Sequence, residues 1–118
     1  MRIGVPTEIK NREFRVGLVP DSVKELTARG HQVLVQSGAG AGIGSDDDAY
    51  RAAGAEIAPD AESVFANAEM IVKVKEPQEV EWKRLREDHI LFTYLHLAPD
   101  LAQTIGLMES GLSLIHIS

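Results

Sequence analysis

Short runs of β-branched and apolar residues alternate along this chain with segments of helical periodicity, and that alternation limits the fold more than any single motif. Arg2–Val5, Gln32–Gln36, Met70–Val74 and Ile90–Leu95 read as strands, because apolar and β-branched side chains dominate them. Pro20 to Arg29, Asp46 to Ala53, Ala61 to Ala66, Glu79 to Arg86 and Asp100 to Glu109 read as helices. In the first helix, Pro20 suits the opening turn, Val23 and Leu26 share a face, and Gly30 marks the end. The second opens with Asp46, Asp47 and Asp48, where the helix dipole favours carboxylates. Strand–helix alternation predicts an α/β fold with a doubly wound, mainly parallel sheet and right-handed crossovers.

The 118 residues suffice for one small domain with a core of its own. Eighteen acidic against 12 basic residues give a formal charge of −6, which argues against nucleic acid as a partner. The absence of cysteine excludes disulfides and thiolate metal sites, and the four histidines lack metal-ligand spacing, so no metal is expected. The opening Met1–Glu8 is no signal peptide, and no stretch reaches the ~18 apolar residues of a membrane span. A cytoplasmic protein without membrane partners is the expectation.

Gly38, Gly40, Gly42 and Gly44 follow a strand and precede a helix, as a dinucleotide loop would. The spacing fails. The fingerprint places glycines at relative positions one, three and six, and the sixth position is Ile43 counted from Gly38 and Ser45 counted from Gly40. The three aspartates beyond would also repel a pyrophosphate at that helix terminus. The expected role is a flexible surface loop, with no cofactor bound by this segment.

Three side chains stand out for chemistry. Lys75 closes Ile71-Val-Lys-Val-Lys75 and His96 closes Ile90-Leu-Phe-Thr-Tyr-Leu-His96, each at the carboxyl end of a strand-like run, where parallel sheets bind ligands. Lys75 can stabilise charge developing on a substrate carbonyl, or it can pair with Glu76 or Glu79. The alternation Val72-Lys73-Val74-Lys75 places both lysines on one strand face, one at the solvated sheet end and one in the cleft. His96 titrates nearest neutrality and suits acid/base work, or it is a satisfied core histidine. Arg15 can clamp a carboxylate with two parallel hydrogen bonds, or it can pair with Glu8 or Glu13.

Six collinear blocks carry a resemblance that runs from Met1 to about Gly111: Ile3–Asn11, Arg15-Val16, Val35–Gly40, Ala53–Ile57, Val72–Pro77 and Tyr94–Ala98. Together they resemble the amino-terminal part of the alanine dehydrogenase and pyridine nucleotide transhydrogenase family. The resemblance implies a Rossmann- or flavodoxin-like substrate domain and an oxidoreductase of L-alanine catabolism. That enzyme deaminates L-alanine oxidatively and reversibly, with NAD, to pyruvate and ammonia. It implies that Arg15 binds the substrate carboxylate, that Lys75 hydrogen-bonds the substrate carbonyl or carboxylate, and that His96 is the catalytic acid/base. Within the family, Tyr94-Leu-His-Leu-Ala98 favours alanine dehydrogenase over the transhydrogenase alpha subunit, which resembles this chain through the opening block and the lysine strand.

The resemblance also implies a homohexameric enzyme about three times this length, whose NAD-binding domain is absent from this chain. Residues 1–111 then form a truncated substrate domain. Residues 112–118 depart from the family pattern and read as an atypical, artefactual tail. The isolated chain is expected to be inactive. A different class of explanation is a stand-alone, non-catalytic module that binds a small carboxylate through Arg15 and Lys75.

Overall fold

The computed structural model of the chain describes residues 1–9, 13–75, 78–85, 89–94 and 114–117. Six strands form one parallel sheet: β1 (Arg2–Val5), β2 (Gln32–Gln36), β3 (Glu56–Ala58), β4 (Met70–Lys73), β5 (Ile90–Tyr94) and β6 (Leu114–Ile117). Their spatial order is β3-β2-β1-β4-β5-β6. The chain winds outward from β1 to β3 on one side, then returns to place β4 on the other side of β1. The crevice between β1 and β4 is therefore the topological switch point, where ligands bind outside the carboxyl ends of strands.

The helices are short: α1 (Pro20–Ala28), α2 (Asp47–Ala52), α3 (Ala61–Asn67) and α4 (Glu79–Trp82). Pro20 occupies the first turn of α1, as its fixed φ favours. Asp46 caps α2 by accepting the Ala49 N–H at 2.9 Å, and Asp60 caps α3 through the Ser63 N–H at 2.8 Å. The two-residue period of the strands sorts the core. Ile3, Val5, Val33, Val35, Val72 and Phe92 pack on one face with Val23 of α1 and Tyr50 of α2. Ile71 and Leu91 pack on the other with Val64 and Phe65 of α3. Both faces are covered, as a doubly wound sheet requires.

Two elements differ from the sequence expectation. Glu56–Ala58 forms β3, paired with Leu34–Gln36, although three residues with one β-branched side chain give no strand signal. The expected helix over Glu79–Arg86 is a single turn ending at Trp82. Leu114–Ile117, in the stretch expected to be an atypical tail, lies beside β5 as β6. The expected helix from Asp100 to Glu109 falls outside the described residues.

Tyr50 ties α2 to the loop that precedes α1. Its side chain is fully buried and its hydroxyl donates to the Leu18 carbonyl at 2.8 Å. Burial pushes the phenol up to about 12. The stability that depends on a neutral Tyr50 is therefore fully present below the ordinary value of 10.0 and is lost as pH rises through about 12. A Tyr50→Phe variant should lose part of the alkaline fall in melting temperature across that window. An alkaline limb as steep as the parent's would contradict this.

Candidate functional site

Glu8, just past β1, reaches across the switch point to the end of β4. Its carboxylate accepts from Lys73 Nζ at 3.1 Å, from the Val74 N–H at 3.0 Å and from the Lys75 N–H at 3.2 Å. Lys73 Nζ also pairs with Glu81 Oε2 at 3.1 Å, and Glu81 Oε1 accepts the Gln78 N–H at 2.9 Å. The side chains of Lys73 and Glu8 are each 1% exposed. Charges this deep persist only when paired and fully hydrogen-bonded. The bend that carries Lys75 is thus held at Val74–Lys75 by one buried carboxylate and at Gln78 by another, and both are anchored on the same ammonium.

Sequence alternation places Lys73 and Lys75 on one strand face. The structure separates their roles. β4 ends at Lys73 and the chain bends at Val74 and Lys75. Lys73 is interior rather than at a solvated sheet end. Lys75 is half-buried at the rim and, among the described residues, has no ion-pair partner.

The segment carrying Arg15 packs onto the same edge. A Cβ on Gly17 would collide with the Val72 carbonyl of β4, so only glycine lets this stretch of loop lie so close. Arg15 is engaged by Glu13: Nε to Oε2 at 3.0 Å, Nη2 to Oε1 at 2.8 Å, and its backbone N–H to Oε2 at 2.9 Å. The Arg15 side chain is 65% exposed and the Glu13 side chain 5%. Hydrogen bonding from Arg15 holds the Glu13 carboxyl below the usual carboxylate value, with burial opposing and the positive charge of Lys75 adding to the lowering. Glu13 in turn raises Arg15, and the charge of Glu8 adds a smaller contribution. Arg15, Lys75, Glu13 and Glu8 therefore share one electrostatic neighbourhood at the switch point.

The structure brings Arg15 and Lys75 to this neighbourhood. His96 lies outside the described residues, two positions beyond the end of β5 at Tyr94. β5 pairs directly with β4, Val72 opposite Phe92 and Lys73 opposite Thr93. Sequence reasoning names Lys73 and Glu8 but misses the buried cluster they form with Glu81. The available signal is a lysine within an apolar strand, which demands buried partners but does not say which.

The glycine loop is tied down rather than loose. Asp47 accepts the Gly38 N–H at 2.9 Å and the Ser37 hydroxyl at 2.6 Å. These hydrogen bonds hold the Asp47 carboxyl below its ordinary value, the Gly38 contribution being the larger. A Cβ on Gly42 would collide with the Phe14 carbonyl, so that glycine serves close packing against the Arg15 segment. The donors a phosphate would need are already satisfied by a carboxylate of the chain.

The sequence and the fold both match known proteins. The profile of the family described as "Alanine dehydrogenase/PNT, N-terminal domain" matches residues 4–117. The chain belongs to this family. It is 52% identical over 111 residues to the alanine dehydrogenase of Mycobacterium tuberculosis, covering 94% of this chain and 30% of that protein. It is 51% identical over 117 residues to the alanine dehydrogenase of Bacillus subtilis, covering 98% of this chain and 30% of that protein. The fold matches a solved L-alanine dehydrogenase with a TM-score of 0.80 at 50% identity, over 98% of this chain and 32% of that one. It matches a transhydrogenase from Sinorhizobium meliloti with a TM-score of 0.74 at 29% identity, over 80% of this chain and 28% of that one. The chain thus spans about a third of the length of the relatives it matches. Among the described residues, no helix is long and apolar enough to cross a membrane.

Proposed function

We propose that this chain is the substrate-binding part of an NAD-dependent L-alanine dehydrogenase, acting on L-alanine and pyruvate. The observation that carries the reading is the Lys75 bend. The backbone of Lys75, whose ammonium has no ion-pair partner among the described residues, is held by the buried Glu8 carboxylate at the switch point, in a chain half identical to alanine dehydrogenases. In this reading Lys75 donates to the substrate carbonyl and Arg15 to its carboxylate. A fixed cation at a crevice rim stabilises negative charge developing on a carbonyl oxygen without reorganising. His96 exchanges a proton with the substrate oxygen or nitrogen. Residues 1–111 form the substrate domain, and the division at 112 belongs to the same proposal, as do a cytoplasmic location and a homohexamer.

The described residues do not fit a dinucleotide pyrophosphate, because Asp47 satisfies the Gly38 and Ser37 donors. NAD is assigned to a part of the protein outside this chain. The test is alanine-dependent formation of NADH by the full-length protein, with none from the 118-residue chain. Absence of activity with alanine, together with hydride exchange between nicotinamide nucleotides, would favour the transhydrogenase reading that the Sinorhizobium meliloti likeness keeps open. Micromolar pyruvate binding to the isolated chain by calorimetry would favour the stand-alone carboxylate-binding module.

A further inference from the structure

We infer that Glu13 competes with the substrate carboxylate for Arg15, holding the fork until a small 2-oxo or 2-amino acid displaces it. The inference rests on the proposed role of Arg15 and adds what controls its availability. A guanidinium binds a carboxylate through two parallel N–H···O bonds, and one such face, Nε with Nη2, is already filled by the two Glu13 oxygens at 3.0 and 2.8 Å. The face of the fork that is turned toward Glu13 is thus already satisfied by a carboxylate of the chain two residues away.

Three features make exchange possible. The guanidinium is on the accessible side of the pair, since the Arg15 side chain is 65% exposed and the Glu13 side chain 5%. Glu13 keeps a partner when the fork leaves, because its Oε2 also accepts the Arg15 backbone N–H at 2.9 Å. The charge of Lys75 acts on the Glu13 carboxyl as well, so a single carboxylate already answers to both cations assigned to the substrate. A substrate carboxylate that takes the Nε–Nη2 face of Arg15 therefore meets a like charge that must yield that face. This makes Glu13 a determinant of affinity rather than a catalytic residue.

The test is steady-state kinetics of Glu13→Gln in the full-length enzyme, with pyruvate as the varied substrate. The substitution keeps the size of the side chain but removes the charge and one acceptor oxygen, so the KM for pyruvate should fall about tenfold with kcat little changed. In an Arg15→Ala background the same substitution should have no effect on KM, because the competition is for the guanidinium. A KM for Glu13→Gln that is unchanged or higher would overturn the inference and make Glu13 a support for Arg15. If Glu13→Gln does not fold, Glu13→Asp is read instead. It keeps the charge but shortens the reach, so it should lower KM by less, and an unchanged KM again overturns the inference. Failure of the underlying reading looks different: Arg15→Ala alone would leave the KM for pyruvate where it was.

Discussion

Replacing Lys73 by methionine is expected to lower the unfolding free energy of the domain by about 3–5 kcal/mol, the usual cost of stranding a buried charge. The substitution preserves length and apolar volume, so little of the loss should come from a cavity. What it removes is the ammonium shared by Glu8 and Glu81 at 3.1 Å each. Among the described residues, both carboxylates would be left interior with only backbone donors. Small domains are stable by only about 5–15 kcal/mol, so the loss should bring the protein close to unfolding at ambient temperature. Chemical denaturation read by circular dichroism gives the midpoint shift, and an unchanged slope would place the effect in stability. The control is the triple variant Glu8→Gln, Lys73→Met and Glu81→Gln. Removing all three charges together should recover a large part of the loss, because the penalty lies in the unpaired ions. A Lys73→Met variant as stable as the parent would mean the cluster is not what holds the bend.

His96→Ala in the full-length enzyme is expected to lower turnover about 10²- to 10⁴-fold, the range over which a positioned acid/base contributes. NAD affinity should be unchanged, since the nucleotide is assigned elsewhere in the protein. The informative pair of measurements is kcat with alanine and the dissociation constant for NADH by fluorescence. Loss of turnover with intact NADH binding supports a role on the substrate. An active His96→Ala enzyme would remove His96 from the mechanism and leave Lys75 and Arg15 to carry the reading.

Much of the architecture is legible because its causes are local. Pro20 opens α1 and Arg29–Gly30 close it, as fixed φ at one end and a left-handed glycine at the other dictate. The apolar runs at β1, β2, β4 and β5 form the four central strands, whose burial on both faces needs continuous apolar character. β3 gives no local signal because Glu56–Ala58 extends only against the edge that Leu34–Gln36 offers it. Spacing alone excludes the glycine loop as a dinucleotide fingerprint, but its actual role is invisible in the sequence. Gly42 is small because Phe14 passes over it, and Asp47 is acidic at a place where it satisfies Gly38 and Ser37.

A parallel α/β sheet, the family, and the candidates Arg15, Lys75 and His96 are all readable before any fold is known. Strand and helix periodicity, and the motifs around those residues, are written in near neighbours along the chain. Which lysine is interior and which is presented depends on the folded chain. Lys73 is buried because Glu8, 65 positions earlier, and Glu81 meet it at the switch point, and Lys75 is left at the rim by the bend they hold. The fate of a buried charge depends on partners that the fold brings from a distance, and no local pattern encodes their arrival.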